Sequence, residues 1–194
     1  FRARLARVTY VDSRDGAPTV TRMAMLVERD NDVADRVHGK VRAFKGARFQ
    51  DLDPYQAVLV SVFEFLIANT DWSLPGLHNV RLVAADSGRI YYPVPYDFDW
   101  SGIVDAEYAK PDAKLGIGSV KERYYRGICG PPERFAPVFD RFRAVRGRID
   151  ALYDSLPGLD RGYVKETKAF VADFYQIIDA PGRWQREIQH RCRP

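Results

Sequence analysis

An α+β fold is what this sequence predicts, on three observations. Two apolar, β-branched stretches near the N-terminus are separated by turn-forming residues. A strongly apolar helix leads into a second pair of short strands. After that, apolar residues recur at three- and four-residue spacing almost to the end of the chain, the mark of helices with one buried face.

Taken in order, "ARLARVTYV" and "TRMAMLVE" flank "DSRDGAP", whose Asp, Gly and Pro form turns, so the pair reads as two antiparallel strands. "DNDVADRVHGK" opens on capping Asp and Asn residues and stops at Gly39, a short helix. Residues 40 to 50 read as an irregular connection. "DPYQAVLVSVFEFLIAN" is the clearest helix, with Asp53 placed to cap it and Pro54 suited to its first turn. Tyr55, Val58, Leu59, Val62, Phe63 and Leu66 keep helical spacing, and Val60 and Phe65 make the other face apolar too. Most of that helix should therefore be buried. "VRLVAADSGRIYYPV" reads as two short strands around a Ser-Gly turn. Residues 101 to 120 carry repeated Gly and Pro and predict a long loop, with "SVKERYYRG" as a short helix in or after it. Phe135, Val138, Phe139, Phe142, Val145, Ile149 and Leu152 trace one helix face, broken at Pro157-Gly158. Asp160 caps a further helix bearing Val164, Phe170, Val171, Phe174 and Ile178, and a last short helix surrounds Trp184 and Ile188.

Composition bounds the function. The 194 residues fit one domain or one domain with an appendage, and 46% hydrophobic with 13% aromatic residues supplies a real core. A net charge of +4 is mild, and the arginines are scattered without interleaved aromatics, so nucleic acid is not an expected partner. A basic face fits phosphorylated small molecules equally well. No apolar run reaches the roughly eighteen residues of a membrane helix, and no signal peptide is visible. The chain opens at Phe1 inside what reads as a strand, which predicts a fragment or a processed product. Cys129 and Cys192 form no metal pattern. They are either two buried thiols or one disulfide tying the C-terminus to "RGICGPP", and the disulfide would point outside the cytoplasm.

Two polar turns carry the candidate chemistry. "NTDWSLPGLHN" follows the buried helix, and "PYDFDWSG" ends the strand paired with the one that Asn79 begins. A hairpin of that length brings its ends together, so Asn79 and Asp97 should be neighbours. One Asp free to accept a proton, beside an Asn and a second Asp as hard oxygen ligands, is what Mg²⁺-assisted phosphoryl transfer requires. Each piece also has a plainer reading. Asn69, Thr70 and Asp71 can cap a helix end or form a turn. His78 reads as a hydrogen-bonded structural residue, and Trp72 and Trp100 read as packing aromatics. Lys121, Arg123 and Arg126 are either a phosphate clamp or a solvated helix face.

The two motifs, "ANTDWSLPGLHN" and "PVPYDFDWSG", resemble the catalytic core of kinase-like proteins, most closely the CotH family of atypical protein kinases. "MLVERD" followed by "DVADR" is similar to that family's segment between small and large lobes. The resemblance spans roughly residues 4 to 102. It implies a kinase-like large helical lobe with a catalytic β-hairpin over residues 31–194, preceded at 1–30 by the last strands of a truncated small lobe. It implies ATP and Mg²⁺ as cofactors and a protein or small hydroxyl-bearing molecule as acceptor. Asp71 would be the catalytic base, Asn79 and Asp97 would hold the metal, and Asp99 would be a second ligand or an orienting partner. The backbone near Glu28 would lie beside the adenine. The chain departs from ordinary protein kinases in the wider Asp71–Asn79 spacing and in lacking His-Arg-Asp, a glycine-rich loop and a recognisable nucleotide-binding Lys. The reading expects those elements upstream of Phe1. A non-catalytic module of the same fold, and a hydrolase using Asp71 with Asp97 or Asp99 as paired carboxylates, remain open beside it.

Overall fold

The structure is a computed structural model that describes residues 1–14, 16–84 and 90–192. It is α+β, with two small antiparallel sheets and a helical block. Among the described residues β1 (Ala3–Tyr10) and β2 (Val20–Val27) pair only with each other, with Leu5 opposite Met25 and Arg7 opposite Met23. Both faces of this ribbon are largely solvent-exposed; Leu5 is 60% exposed and Met25 66%. Its base is tied down by polar contacts, since Glu28 Oε2 accepts from Arg2 N and from Arg36 Nη2, both at 2.8 Å.

α1 (Asp30–Arg36) begins with acidic residues where the helix dipole favours them, and it buries Val33 and Ala34. The chain then turns at Gly39, where a side chain has no room: a Cβ there would lie 2.5 Å from Ala84 O and 2.7 Å from Val83 Cγ1. That close approach admits a strand the sequence reading missed. β3 (Lys40–Arg42) pairs with β4 (Val80–Ala84), which pairs with β5 (Tyr91–Pro95), giving the order β3-β4-β5. Three residues with a single apolar one, Val41, are too few to show an alternating pattern. The expected Ser-Gly turn between β4 and β5 lies outside the described residues.

α2 (Pro54–Leu66) is the central element. Asp53 caps it by accepting from Gln56 N at 2.9 Å, with Pro54 in the first turn as expected. Ala57, Val58, Val62 and Phe65 are buried, and burial of each larger side chain contributes about 1.5–3 kcal/mol. Against α2 pack α3 (Pro132–Ser155), through Phe135, Val138, Phe139 and Phe142, and α4 (Arg161–Asp179), through Val171, Phe174, Ile177 and Ile178. α5 (Pro181–Trp184) and the turn that follows add Trp184 and Ile188 to the same core. A second, smaller cluster of Ala47, Leu52, Ala57, Trp72, Leu74 and Leu82 seats the loop after α2. The disulfide forms: Cys129 is bonded to Cys192.

Residues 119–127 are not the short helix expected of them; they form a turn followed by irregular chain. Arg123 and Tyr125, two residues apart, both point inward, which a helix would place on opposite sides. Tyr125 packs among Phe65 and Phe135, and its hydroxyl donates to Ile128 O at 3.0 Å. Arg123 donates to Leu66 O and Phe170 O and pairs with Asp173 at 2.8 Å, so its guanidinium stitches α2 to α4. No helix among the described residues is long and apolar enough to cross a membrane.

Candidate functional site

The first turn begins where α2 stops. Ala68 takes a left-handed conformation at φ 51°, and Asn69 N then donates to Glu64 O at 2.8 Å, the double-back that ends many helices. Asn69 Oδ1 in turn accepts from Asp71 N at 2.9 Å. Beyond Asp71 the chain forms a tight hairpin in which Ser73 and His78 exchange backbone hydrogen bonds, both at 3.0 Å. Trp72 and Leu74 anchor this loop in the smaller core cluster. The wide Asp71–Asn79 spacing is thus a compact hairpin, and it returns the chain to Asp71.

There His78 Nε2 lies 3.0 Å from Asp71 Oδ1, and Asn79 Nδ2 donates to Asp71 Oδ2 at 3.0 Å and to Asp71 O at 2.8 Å. Asp71 consequently has both carboxylate oxygens held by side chains of its own loop. Asn79 spends its nitrogen on Asp71, leaving Oδ1 as its remaining polar atom.

The second turn arrives by β5. Tyr96 N donates to Asn79 O at 3.0 Å, extending the β4–β5 pairing by one residue and delivering Asp97 beside the first turn. Arg81 lies 4.1 Å from the Tyr96 ring centroid, bonds its hydroxyl, and reaches Asp30 at 2.7 Å, which fixes the strand end. Burial raises the proton affinity of the Asp97 carboxyl first, the neighbouring Asp99 raises it further, and Asp71 adds a smaller push that His78 opposes. The charges of both turns therefore act on one another. Asp99 accepts from the Tyr108 hydroxyl at 2.9 Å, and Ser101 closes the turn by donating to Phe98 O.

Asn79 and Asp97 both adopt left-handed backbone, at φ 53° and φ 59°. Asn and Asp tolerate that region better than other side chains, so the residue types that suit the turns also supply the oxygens. Together the turns bring Asp71, His78, Asn79, Asp97 and Asp99 to one surface. Among the described residues no group of three or more His, Cys, Asp or Glu is arranged to hold a metal ion. A cation here would depend on Asn79, on Asp97 and Asp99, and on oxygens from water or phosphate.

Glu28 makes its contacts with the start of the chain and with α1. Its carboxylate is used by Arg2 and Arg36, and its backbone N donates to Arg2 O at 2.9 Å. Of the three cations in residues 119–127, Arg123 is buried in the fold, Lys121 pairs with Asp105 at 2.7 Å, and Arg126 donates to Thr70 O. Arg126 also borders a cavity of about 220 Å³ with Arg48, Phe49, Trp72 and Ser73, on the flank of the first turn.

One residue of consequence escaped the sequence reading. Glu64 sits in the middle of α2, is 1% exposed, and burial pushes its carboxyl up to about 8, with the Asn69 side chain pulling the other way. An acid between two phenylalanines of a largely apolar helix was the available signal. Compared with protein-family models, with curated proteins and with solved structures, the chain matches none of them.

Proposed function

We propose that this chain is the large-lobe part of an atypical, CotH-like kinase, transferring a phosphoryl group from ATP to a protein or small hydroxyl acceptor. The observation that carries the reading is the convergence of the two turns: Asp71, already oriented by His78 and Asn79, faces an Asp97–Asp99 pair whose charges crowd each other. In this reading residues 1–30 end a small lobe and Glu28 lies beside the adenine. Asp71 accepts the proton of the acceptor hydroxyl, and the two side-chain contacts keep its carboxylate in one orientation. Asp97, Asp99 and Asn79 Oδ1 fit Mg²⁺, which takes one or two carboxylates and completes its shell with water and phosphate oxygens. Mg²⁺ bound there offsets the negative charge of the phosphates. The Cys129–Cys192 disulfide supports a location outside the cytoplasm.

Because both Asp71 oxygens are already engaged within the loop, a non-catalytic interaction module of the same fold is the second reading. Thermal melting separates the two. With Mg²⁺ and ATP at a hundredfold excess over Kd, the kinase reading expects a protein that includes its nucleotide-binding elements to be stabilised by about 2.7 kcal/mol, and Asp97→Ala should abolish it. An unchanged melting temperature of that protein in saturating nucleotide and metal would overturn the kinase reading.

A further inference from the structure

We propose that the groove between α2, β5 and the C-terminal half of α3 is a docking site for an acidic amphipathic helix of a partner protein. The apolar face of α3 outruns its buried part. Phe135, Val138, Phe139 and Phe142 are buried against the core, and the same face continues through Val145, Ile149 and Leu152, none of which is buried. Leu152 is 51% exposed. These three residues border a groove of about 610 Å³ whose other walls include Leu59 and Phe63 of α2 and Pro93 and Pro95 of β5. Two rows of apolar side chains at helical spacing, open to solvent between them, form the kind of groove into which an amphipathic helix lays its apolar face.

Charge decides the class of helix. Arg141, Arg143, Arg146 and Arg148 follow one another along this stretch of α3, and the fold divides them by side. On the flank toward α4, Arg143 bonds Asp179 and Asp140, and Arg146 lies 4.6 Å from the Tyr175 ring centroid. On the groove flank, Arg141 and Arg148 line the opening, and no acid among the described residues lines it with them. Both are exposed, and among the described residues neither has a hydrogen-bond or ion-pair partner. They stand two helical turns apart, about 10 Å along the axis. The groove is thus an apolar floor with an uncompensated positive rim. A second copy of this chain would bring the same positive rim to a symmetric interface, where like charge opposes it. A ligand with a single carboxylate would meet only one of the two arginines. An amphipathic helix with carboxylates two turns apart meets both while its apolar face covers Val145, Ile149 and Leu152.

Fluorescence anisotropy tests this on the chain as it stands, without nucleotide or metal, so the outcome is independent of the kinase reading. The probe is a labelled peptide about twenty residues long, enough to form a helix, with Leu at helical spacing and Glu two turns apart on its flank. The Glu peptide should bind, and replacing its Glu by Lys, or scrambling its order, should weaken binding by about tenfold or more. Arg141→Ala and Arg148→Ala should each weaken the Glu peptide about two- to fivefold, the contribution of an exposed ion pair, and Leu152→Ala about fivefold. Because these three side chains are exposed, the variants should melt as the parent does. Arg141→Glu combined with Arg148→Glu should reverse the preference, so that the Lys peptide binds more tightly than the Glu peptide. The proposal is overturned if the Glu and Lys peptides bind alike, if neither binds below about 1 mM, or if the double reversal leaves the preference unchanged. It is overturned equally if sedimentation finds a dimer of this chain that the double reversal disperses, or if phosphatidylglycerol vesicles, and not the peptide, bind through Arg141 and Arg148.

Discussion

Both turns contain the same tripeptide, Asp-Trp-Ser, at Asp71-Trp72-Ser73 and at Asp99-Trp100-Ser101, and the fold uses the two copies in opposite ways. In the first, Trp72 is only 4% exposed and its aspartate is gripped by His78 and Asn79. In the second, Trp100 is 37% exposed, the serine is the fully buried member, and the aspartate presses against another carboxylate. The difference comes from what lies behind each turn. The first is backed by the cluster around Leu52, Leu74 and Leu82, so its indole is a plug. The second turns at the protein surface, so its serine is drawn inward to satisfy Phe98 O. The first carboxylate is organised by the protein itself. In the second pair, Asp99 accepts from the Tyr108 hydroxyl and its charge raises the cost of ionising Asp97.

The largest effect that sharpens this contrast is at the tryptophans. Trp72→Ala should cost about 3–5 kcal/mol, the range for deleting a buried large aromatic, whereas Trp100→Ala should cost under about 1 kcal/mol, as exposed positions do. Urea denaturation of the two variants measures both, and equal losses would erase the distinction. Next comes Asn79→Ala. It removes two donated hydrogen bonds to Asp71, one of them charge-assisted, and should cost about 1–3 kcal/mol. Asn79→Gly, which keeps the left-handed backbone without the amide, tests whether the loss comes from the hydrogen bonds.

The smallest effect has the opposite sign. A carboxyl whose folded-state proton affinity is raised binds its proton more tightly folded than unfolded, so the stability it confers is complete below its unfolded pKa and is lost as pH rises through its folded pKa. Asp97→Asn keeps a side chain suited to φ 59° and removes that loss. It should leave stability unchanged in acid and raise it by less than about 1 kcal/mol at neutral pH, given the exposure of the pair. Melting curves at acid and neutral pH check this. A destabilised Asp97→Asn at neutral pH would mean that the pair does not repel.

Much of this architecture was legible because helices announce themselves through repeated apolar spacing. α2 with its Asp53 cap, α3 with its break at Gly158 and α4 with its Asp160 cap all lie where that spacing puts them. The meeting of Asn79 with the strand end before Asp97 was legible from hairpin length alone. β3 was not, because its existence depends on Gly39 letting the chain approach Val83 and Ala84, a contact with residues over forty positions away. Nor was the inward course of residues 119–127, whose basic and aromatic letters suit a solvated helix until Arg123 finds carbonyls on two other helices. His78 was expected as a hydrogen-bonded structural residue, and it does make such a bond, but its partner is the candidate base itself.

The Cys129–Cys192 bond has a topological consequence for the helical block. It closes a covalent ring over a separation of 63 residues that contains all of α3 and α4. In chain-entropy terms a ring of that size disfavours the unfolded state by about 4 kcal/mol. It also means that the exposed link at Pro157–Gly158, between the two helices, can be cut without releasing a fragment. A nicked molecule would run as one species until a reductant is added and as two afterwards, its two long core helices kept at high effective concentration by a bond on the far side of the ring.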